Sequence, residues 1–211
     1  MLATHKQDSI ASMTKTYPIV EIFFSIQGEG HLRGFQQTFV RLAGCSVGCP
    51  ECDTDYGRRE TLTAKQIADR AASITPKMID PWVWITGGEP ADHDLRELLA
   101  ALKAKRFSIA VATSGQKRMI PPVDWLSVSP HRTDFVQRYG NEIKIVPGLN
   151  GVSLTEWEES LAKTAFMYRY VQPLWKNGGE DAHSLSECVA FMKTHPDWAL
   201  SRQDHKHWQV H

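Results

Sequence analysis

The chain has 211 residues, enough for one large α/β unit with a sizeable buried core. Lysine plus arginine and aspartate plus glutamate balance at 24 each, so charge makes no case for nucleic acid or a membrane surface as partner. Four cysteines, three of them clustered, do not make a secreted disulfide framework, and no apolar run approaches a membrane span; the chain reads as a soluble cytoplasmic protein.

Met1 to Thr16 is polar, lacks the apolar core of a signal peptide and reads as a flexible extension before a single domain over residues 17–211. Tyr17 to Ser25, rich in aromatic and β-branched residues, predicts a strand that ends in the glycine turn Ile26-Gln27-Gly28-Glu29-Gly30. Thr38 to Leu42 is a short strand that places Arg41 opposite Val40 and Leu42. It feeds the loop Cys45-Ser-Val-Gly-Cys49-Pro-Glu-Cys52-Asp53-Thr54. Leu62 to Ser73 predicts a helix that Thr63 can cap. The apolar run Trp82 to Ile85 opens onto Thr86-Gly87-Gly88-Glu89-Pro90, after which Asp92 can cap a helix carried by Leu95, Leu98, Leu99 and Leu102.

The alternation then repeats more loosely. Strands are expected at Phe107–Ala112, Trp125–Val128, Glu142–Val146, Met167–Val171 and Trp198–Ser201, and helices at Leu154–Ala165 and Ser184–Lys193. The loops that follow include Thr113-Ser114-Gly115, Ser129-Pro130-His131, Pro147-Gly148 and Gln172-Pro173-Leu174. Strands alternating with helices imply a mostly parallel sheet. The connections Thr113–Trp125 and His131–Asn141 are too short or broken for regular helices, so the expected fold is an incomplete, distorted (β/α) barrel with fewer helices than strands. In such a barrel the polar loops share the carboxyl ends of the strands and can face one cavity.

Three readings of Cys45, Cys49 and Cys52 follow from spacing. They could form a structural zinc site with His31 as fourth ligand, a redox disulfide with one cysteine to spare, or three ligands of a [4Fe–4S] cluster with an open iron. Spacing leaves zinc and the cluster comparable.

The cysteine loop after one barrel strand and the Gly87-Gly88-Glu89-Pro90 loop after the next resemble the radical S-adenosylmethionine enzymes. A longer set resembles the 7-carboxy-7-deazaguanine synthase family and covers nearly the whole chain from Tyr17. It comprises Pro18-Ile-Val-Glu-Ile22, Gln27-Gly28-Glu29-Gly30, Phe39-Val-Arg-Leu-Ala-Gly-Cys45, Cys52-Asp53-Thr54 and Ile85-Thr-Gly-Gly-Glu-Pro90. Thr113-Ser-Gly115, Val128-Ser-Pro130, Asn141-Glu-Ile-Lys144, Gln172-Pro173 and Gln203-Asp-His-Lys206 extend it.

The resemblance implies a radical lyase acting on 6-carboxy-5,6,7,8-tetrahydropterin, which loses ammonia and contracts to 7-carboxy-7-deazaguanine on the route to queuosine and related 7-deazapurines. It implies that Cys45, Cys49 and Cys52 bind a [4Fe–4S] cluster, and that S-adenosyl-L-methionine chelates its fourth iron. A 5′-deoxyadenosyl radical would then take hydrogen from the pterin carbon that bears the carboxylate, and later return it. Gly88, Glu89, Ser129, Pro130, His131 and Gln172 map onto cofactor-binding positions, and Ile26, Gln27, Gly28, Arg41 and Thr86 onto substrate-binding ones. Thr54 maps onto a ligand of Mg²⁺, a homodimer is expected, and flavodoxin is the implied electron donor. Two alternatives share features with this reading: an activase that makes a glycyl radical on a partner protein, and a zinc-binding module without catalysis.

The chain also departs from the family pattern. His131 stands where lysine is common, and Asp204 replaces the threonine of Gln-Thr-His-Lys. His207 to His211 receive no role, Cys188 reads as core, and Gly178-Gly179 as a mobile loop.

Overall fold

Strands form where β-branched and aromatic residues run together. In the computed structural model, which describes residues 14–49, 57–119 and 122–211, β1 (Thr16–Ile26) pairs antiparallel with β2 (Gln36–Leu42) and with β3 (Glu60–Thr63). Beside β2 lie β4 (Trp82–Gly87), β5 (Ser108–Thr113), β6 (Trp125–Val128), β7 (Tyr139–Ile145), β8 (Ala165–Val171) and, at the far edge, β11 (Trp198–Leu200). From β2 to β11 every pairing is parallel. The nine-stranded sheet is open, with β3 and β11 as its edges, which is the incomplete barrel expected from the sequence. The proposed extension falls almost wholly outside the described residues, as do Cys52, Asp53 and Thr54.

Helices cover one face. α1 (Ala64–Ile74) starts two residues later than the sequence predicts, because Leu62 belongs to β3 and pairs with Tyr17. Its cap is as expected: Thr63 and Gln66 close a capping box. α2 (Arg96–Ala104) buries Leu98, Leu99 and Leu102, but Asp92 does not cap it. Asp92 closes the short 3₁₀ turn Pro90–Asp92 and sends its carboxylate to the cysteine loop instead. α3 (Leu154–Leu161) ends before Ala165, where β8 already begins, and α4 (Ala182–Thr194) precedes β11. The connections after β5 and β6 carry no helix among the described residues.

Besides β3, three short elements went unpredicted. β9 (Trp175–Lys176) and β10 (Gly179–Glu180) form a hairpin across Asn177 and Gly178, both at positive φ (53° and 79°), the pattern of a type I′ turn. The Gly178-Gly179 stretch is thus an ordered turn rather than a mobile loop. α5 (Asp204–Trp208) is too short to announce itself by periodicity. Among the described residues no helix is long and apolar enough to cross a membrane.

Strand alternation sorts the side chains between two apolar clusters. Val40, Leu42, Val83, Ile85, Ile109, Val111, Val128, Ile143 and Ile145 face the helices and pack with Ile67, Leu98, Leu102, Trp157 and Phe191. Cys188 is fully buried here, as core. Phe39, Trp84, Ala110 and Trp125 face the inner side with Phe23, Leu32 and Tyr168. The inner side also holds the polar residues that matter below.

Candidate active site

At the carboxyl ends of the parallel strands a cavity of about 490 Å³ opens on the inner side. Its wall includes Ile26, Gln27, Gly28, Arg41, Cys45, Cys49, Thr86, Gly88, Glu89, Ser129, His131 and Gln172, so most positions singled out from the sequence converge. Pro130 is buried and does not line it. Cys52 and Thr54 lie outside the described residues.

Cys45 and Cys49 are half-buried reduced thiols. The cysteine loop is tied to the glycine loop after β4 by two backbone bonds, Gly88 N–H to Leu42 O (2.9 Å) and Glu89 N–H to Gly44 O (3.0 Å). That closeness dictates glycine. A Cβ at Gly88 would lie 1.6 Å from the Gly44 carbonyl oxygen, and one at Gly87, whose φ is 109°, would lie 2.2 Å from that of Leu42. Asp92 adds a side-chain anchor, accepting from Ser46 N–H (2.8 Å) and Oγ (2.7 Å) while pairing with Lys117 (2.5 Å). Burial opposes its ionisation, but Lys117 and Ser46 prevail and hold the carboxyl below its usual range.

Glu89 lines the cavity and is also tied firmly into the protein around it. It is 1% exposed, and its carboxylate accepts four hydrogen bonds from the protein. Oε1 receives Ala91 N–H (2.9 Å) and Thr113 Oγ1 (2.6 Å); Oε2 receives Ser114 N–H (2.8 Å) and Ser114 Oγ. Four donors fill the acceptor positions of a carboxylate. Glu89 therefore fixes the β4 and β5 loops to each other at the cavity wall.

The turn after β1 forms the opposite wall. Gln27 braces it, with its N–H on Phe35 O (2.9 Å) and its side-chain Oε1 on Glu29 N–H (3.0 Å). Gly28 O accepts Asp204 N–H (3.1 Å), and a Cβ on Gly28 would sit 2.5 Å from the His205 nitrogen of α5. Gly30 N–H reaches Ser201 Oγ (3.0 Å), which donates to Gln172 Oε1 (2.7 Å), so the turn and the loop after β8 are mechanically linked.

Beneath this turn sits an ion pair to which the sequence reading gave no role. Lys144, 5% exposed on the inner side of β7, donates to Glu29 at 2.5 Å, and Glu29 also accepts from Gln203 Nε2 at 2.9 Å. Burial disfavours the Glu29 charge, yet Lys144, His205 and Gln203 outweigh it and bring the carboxyl down to about 2. Burial likewise opposes the Lys144 charge, and Glu29 with Glu142 raises its pKa in spite of that. The signal was available: Glu142 and Lys144 alternate with Ile143 and Ile145, putting charge on a strand face that the fold encloses.

Arg41 lines the cavity on the face opposite Val40 and Leu42, as alternation predicts. Its Nε pairs with Glu21 Oε1 (2.8 Å), its cross-strand neighbour, and the guanidinium lies over the Phe23 ring. Glu21 in turn pairs with His211 Nε2 (2.5 Å), and the His211 carbonyl accepts from Ser25 Oγ (2.8 Å), which brings the last residue into the cavity wall. His31 is not among the residues that line the cavity with Cys45 and Cys49. It stacks on Tyr168 (3.8 Å) and Trp125 (5.4 Å) with Nδ1 at 3.3 Å from Tyr170 Oη, a setting that gives it partners other than Cys45 and Cys49. Beside Cys49 stands His131, with Nδ1 at 2.8 Å from Sγ.

No family model matches the chain. It is 33% identical to the 7-carboxy-7-deazaguanine synthase of Synechocystis sp. over 94% of this chain and 95% of the relative. It is 34% identical to that of Nitratidesulfovibrio vulgaris over 91% of this chain and 98% of the relative. The crystal structure of QueE from Escherichia coli superposes with a TM-score of 0.71 at 26% identity, covering 89% of this chain and 94% of that one. At this identity over nearly the full length, the chain belongs to the 7-carboxy-7-deazaguanine synthase family.

Proposed function

We propose that this protein is a radical S-adenosylmethionine lyase that converts 6-carboxy-5,6,7,8-tetrahydropterin to 7-carboxy-7-deazaguanine with loss of ammonia. One observation carries the reading. A single cavity gathers two reduced thiols, a glycine loop bonded to the thiol loop, a guanidinium and a buried ion pair. Members of the family to which the chain belongs bear the name of this product.

The donor set fits a [4Fe–4S] cluster. Cys45 and Cys49 lie on one wall, Cys52 is the third thiol of the loop, and soft thiolates favour iron–sulfur clusters over hard cations. When bound, the cluster and S-adenosyl-L-methionine supply a 5′-deoxyadenosyl radical on one-electron reduction. The protein's own work is to bind, orient and exclude water. Gly88 presents its backbone to the methionine end of the cofactor, with Glu89 holding that loop in place. Ser129, His131 and Gln172 would line its remaining length, with buried Pro130 between the first two. Arg41, gripped at Nε by Glu21, keeps a guanidinium edge in the cavity wall, where a fork can meet the pterin carboxylate. Ile26, Gln27, Gly28 and Thr86 frame the heterocycle, while Phe23, Phe39 and Trp84 give the cavity an apolar floor.

Mg²⁺ held in part by Thr54 beside the substrate carboxylate belongs to the same reading, as hard cations take oxygen ligands. So do a homodimeric state, reduction by flavodoxin and a cytoplasmic place in the 7-deazapurine route. Thr54→Ala should weaken Mg²⁺-dependent turnover while leaving the iron content intact.

The test is anaerobic. Reconstituted, reduced protein given S-adenosyl-L-methionine and the carboxytetrahydropterin should yield 7-carboxy-7-deazaguanine by mass spectrometry. A colourless zinc protein, or an intact cluster with no such product, would remove the proposal.

A further inference from the structure

We infer that His131 tunes the reduction potential of the cluster by donating a hydrogen bond from Nδ1 to the Cys49 thiolate. The inference rests on the cluster reading above and goes beyond it, because that reading gives His131 only a place along the cofactor. Nδ1 lies 2.8 Å from Cys49 Sγ. Sulfur and nitrogen bonds of about 2.3 and 2.1 Å to one tetrahedral metal would hold the two atoms roughly 3.6 Å apart. The observed spacing is closer than two ligands on one metal can be, and it puts the ring nitrogen in direct contact with the sulfur, where it can donate to a ligand. A metal-bound thiolate carries no proton, so the shared hydrogen belongs to the imidazole.

The ring sits at the end of a fixed loop. Ser129 N–H bonds to Thr113 O (2.9 Å), and Asn150 Nδ2 donates to the His131 carbonyl (3.0 Å). A lysine here would be a hydrated point charge on a flexible stem, whereas an imidazole aims one N–H along a set direction. Hydrogen bonds to the sulfurs are among the determinants of cluster potential. They stabilise the reduced cluster, which holds more negative charge, and so raise the potential. His131 is in this sense a positioning residue acting through Cys49.

The test is a redox titration of the anaerobically reconstituted protein, followed by electron paramagnetic resonance without added S-adenosyl-L-methionine. At the potential that half-reduces the wild type, His131→Ala should lower the reduced-to-oxidised ratio about tenfold, which is 59 mV for a one-electron couple. His131→Asn, whose Nδ2 can take the place of the imidazole Nδ1, should recover most of that ratio. Wild-type protein labelled with ¹⁵N-histidine should show a weak nitrogen coupling to the reduced cluster that His131→Ala lacks. An unchanged midpoint in His131→Ala with about four irons per chain, or no coupling in the labelled wild type, overturns the inference and leaves the cluster standing. A wild type that takes up no cubane overturns both.

Discussion

The two faces of the sheet share one backbone and do opposite things. The helix-facing side is a continuous apolar contact of Val40, Leu42, Ile85, Val111, Ile143 and Ile145 with α1 to α4, and none of these six lines the cavity. The inner side interleaves aromatic residues with Arg41 and Lys144, charges that are tolerable because Glu21 and Glu29 meet them. In β7 the division falls between adjacent residues, Ile143 outward and Lys144 inward. Stability and chemistry are thus separable at single-residue spacing, and substitutions can test the separation.

The sharpest test is Cys45→Ala, which should abolish cleavage of S-adenosyl-L-methionine while leaving thermal unfolding near that of the wild type compared without cluster. Cleavage at the normal rate would refute the ligand assignment. Leu102→Ala, on the outer face, should do the reverse. It removes a fully buried side chain and should cost about 2–5 kcal/mol of stability, with turnover of the folded fraction unchanged. A selective loss of turnover in that variant would break the division between the faces. Arg41→Ala should raise the pterin concentration needed for half-maximal rate by roughly tenfold to a hundredfold, the scale of a charged hydrogen bond of about 1.5–3 kcal/mol. An unchanged substrate dependence would take Arg41 out of the binding site.

The Glu29–Lys144 pair gives the smallest and most conditional effect. The Glu29 carboxyl is depressed to about 2 from 4.5, so its contribution is complete above pH 4.5 and fades as pH falls towards 2. Acid unfolding of Glu29→Gln should therefore start from lower stability at neutral pH and show a shallower fall across that window. Parallel curves would mean that the pair is broken in solution.

Much of this division could be read before any coordinates. Alternation in Thr38–Leu42 put Arg41 on the inner face, and Leu98, Leu99 and Leu102 announced the buried stripe of α2. The short elements β3, β9, β10 and α5 could not be read, because they are shorter than the window in which a period shows and, unlike β6 and β11, carry no apolar run. Nor could partners distant in sequence. Thr113 and Ser114 fill the Glu89 carboxylate from the next loop, and Ser46 takes Asp92 away from its expected capping role. The motif glycines were legible as flexible positions, but their actual constraint is steric, since the Gly44 carbonyl occupies the space a Gly88 side chain would need.

The central claim is that cofactor and pterin meet in the inner cavity between the cysteine loop and the turn after β1. A hydrogen atom passing directly between them tests it. With pterin deuterated at the carbon bearing the carboxylate, deuterium should appear in recovered S-adenosyl-L-methionine during turnover by the wild type. Product formation with all of the deuterium lost to solvent, and none in the cofactor, would contradict the account.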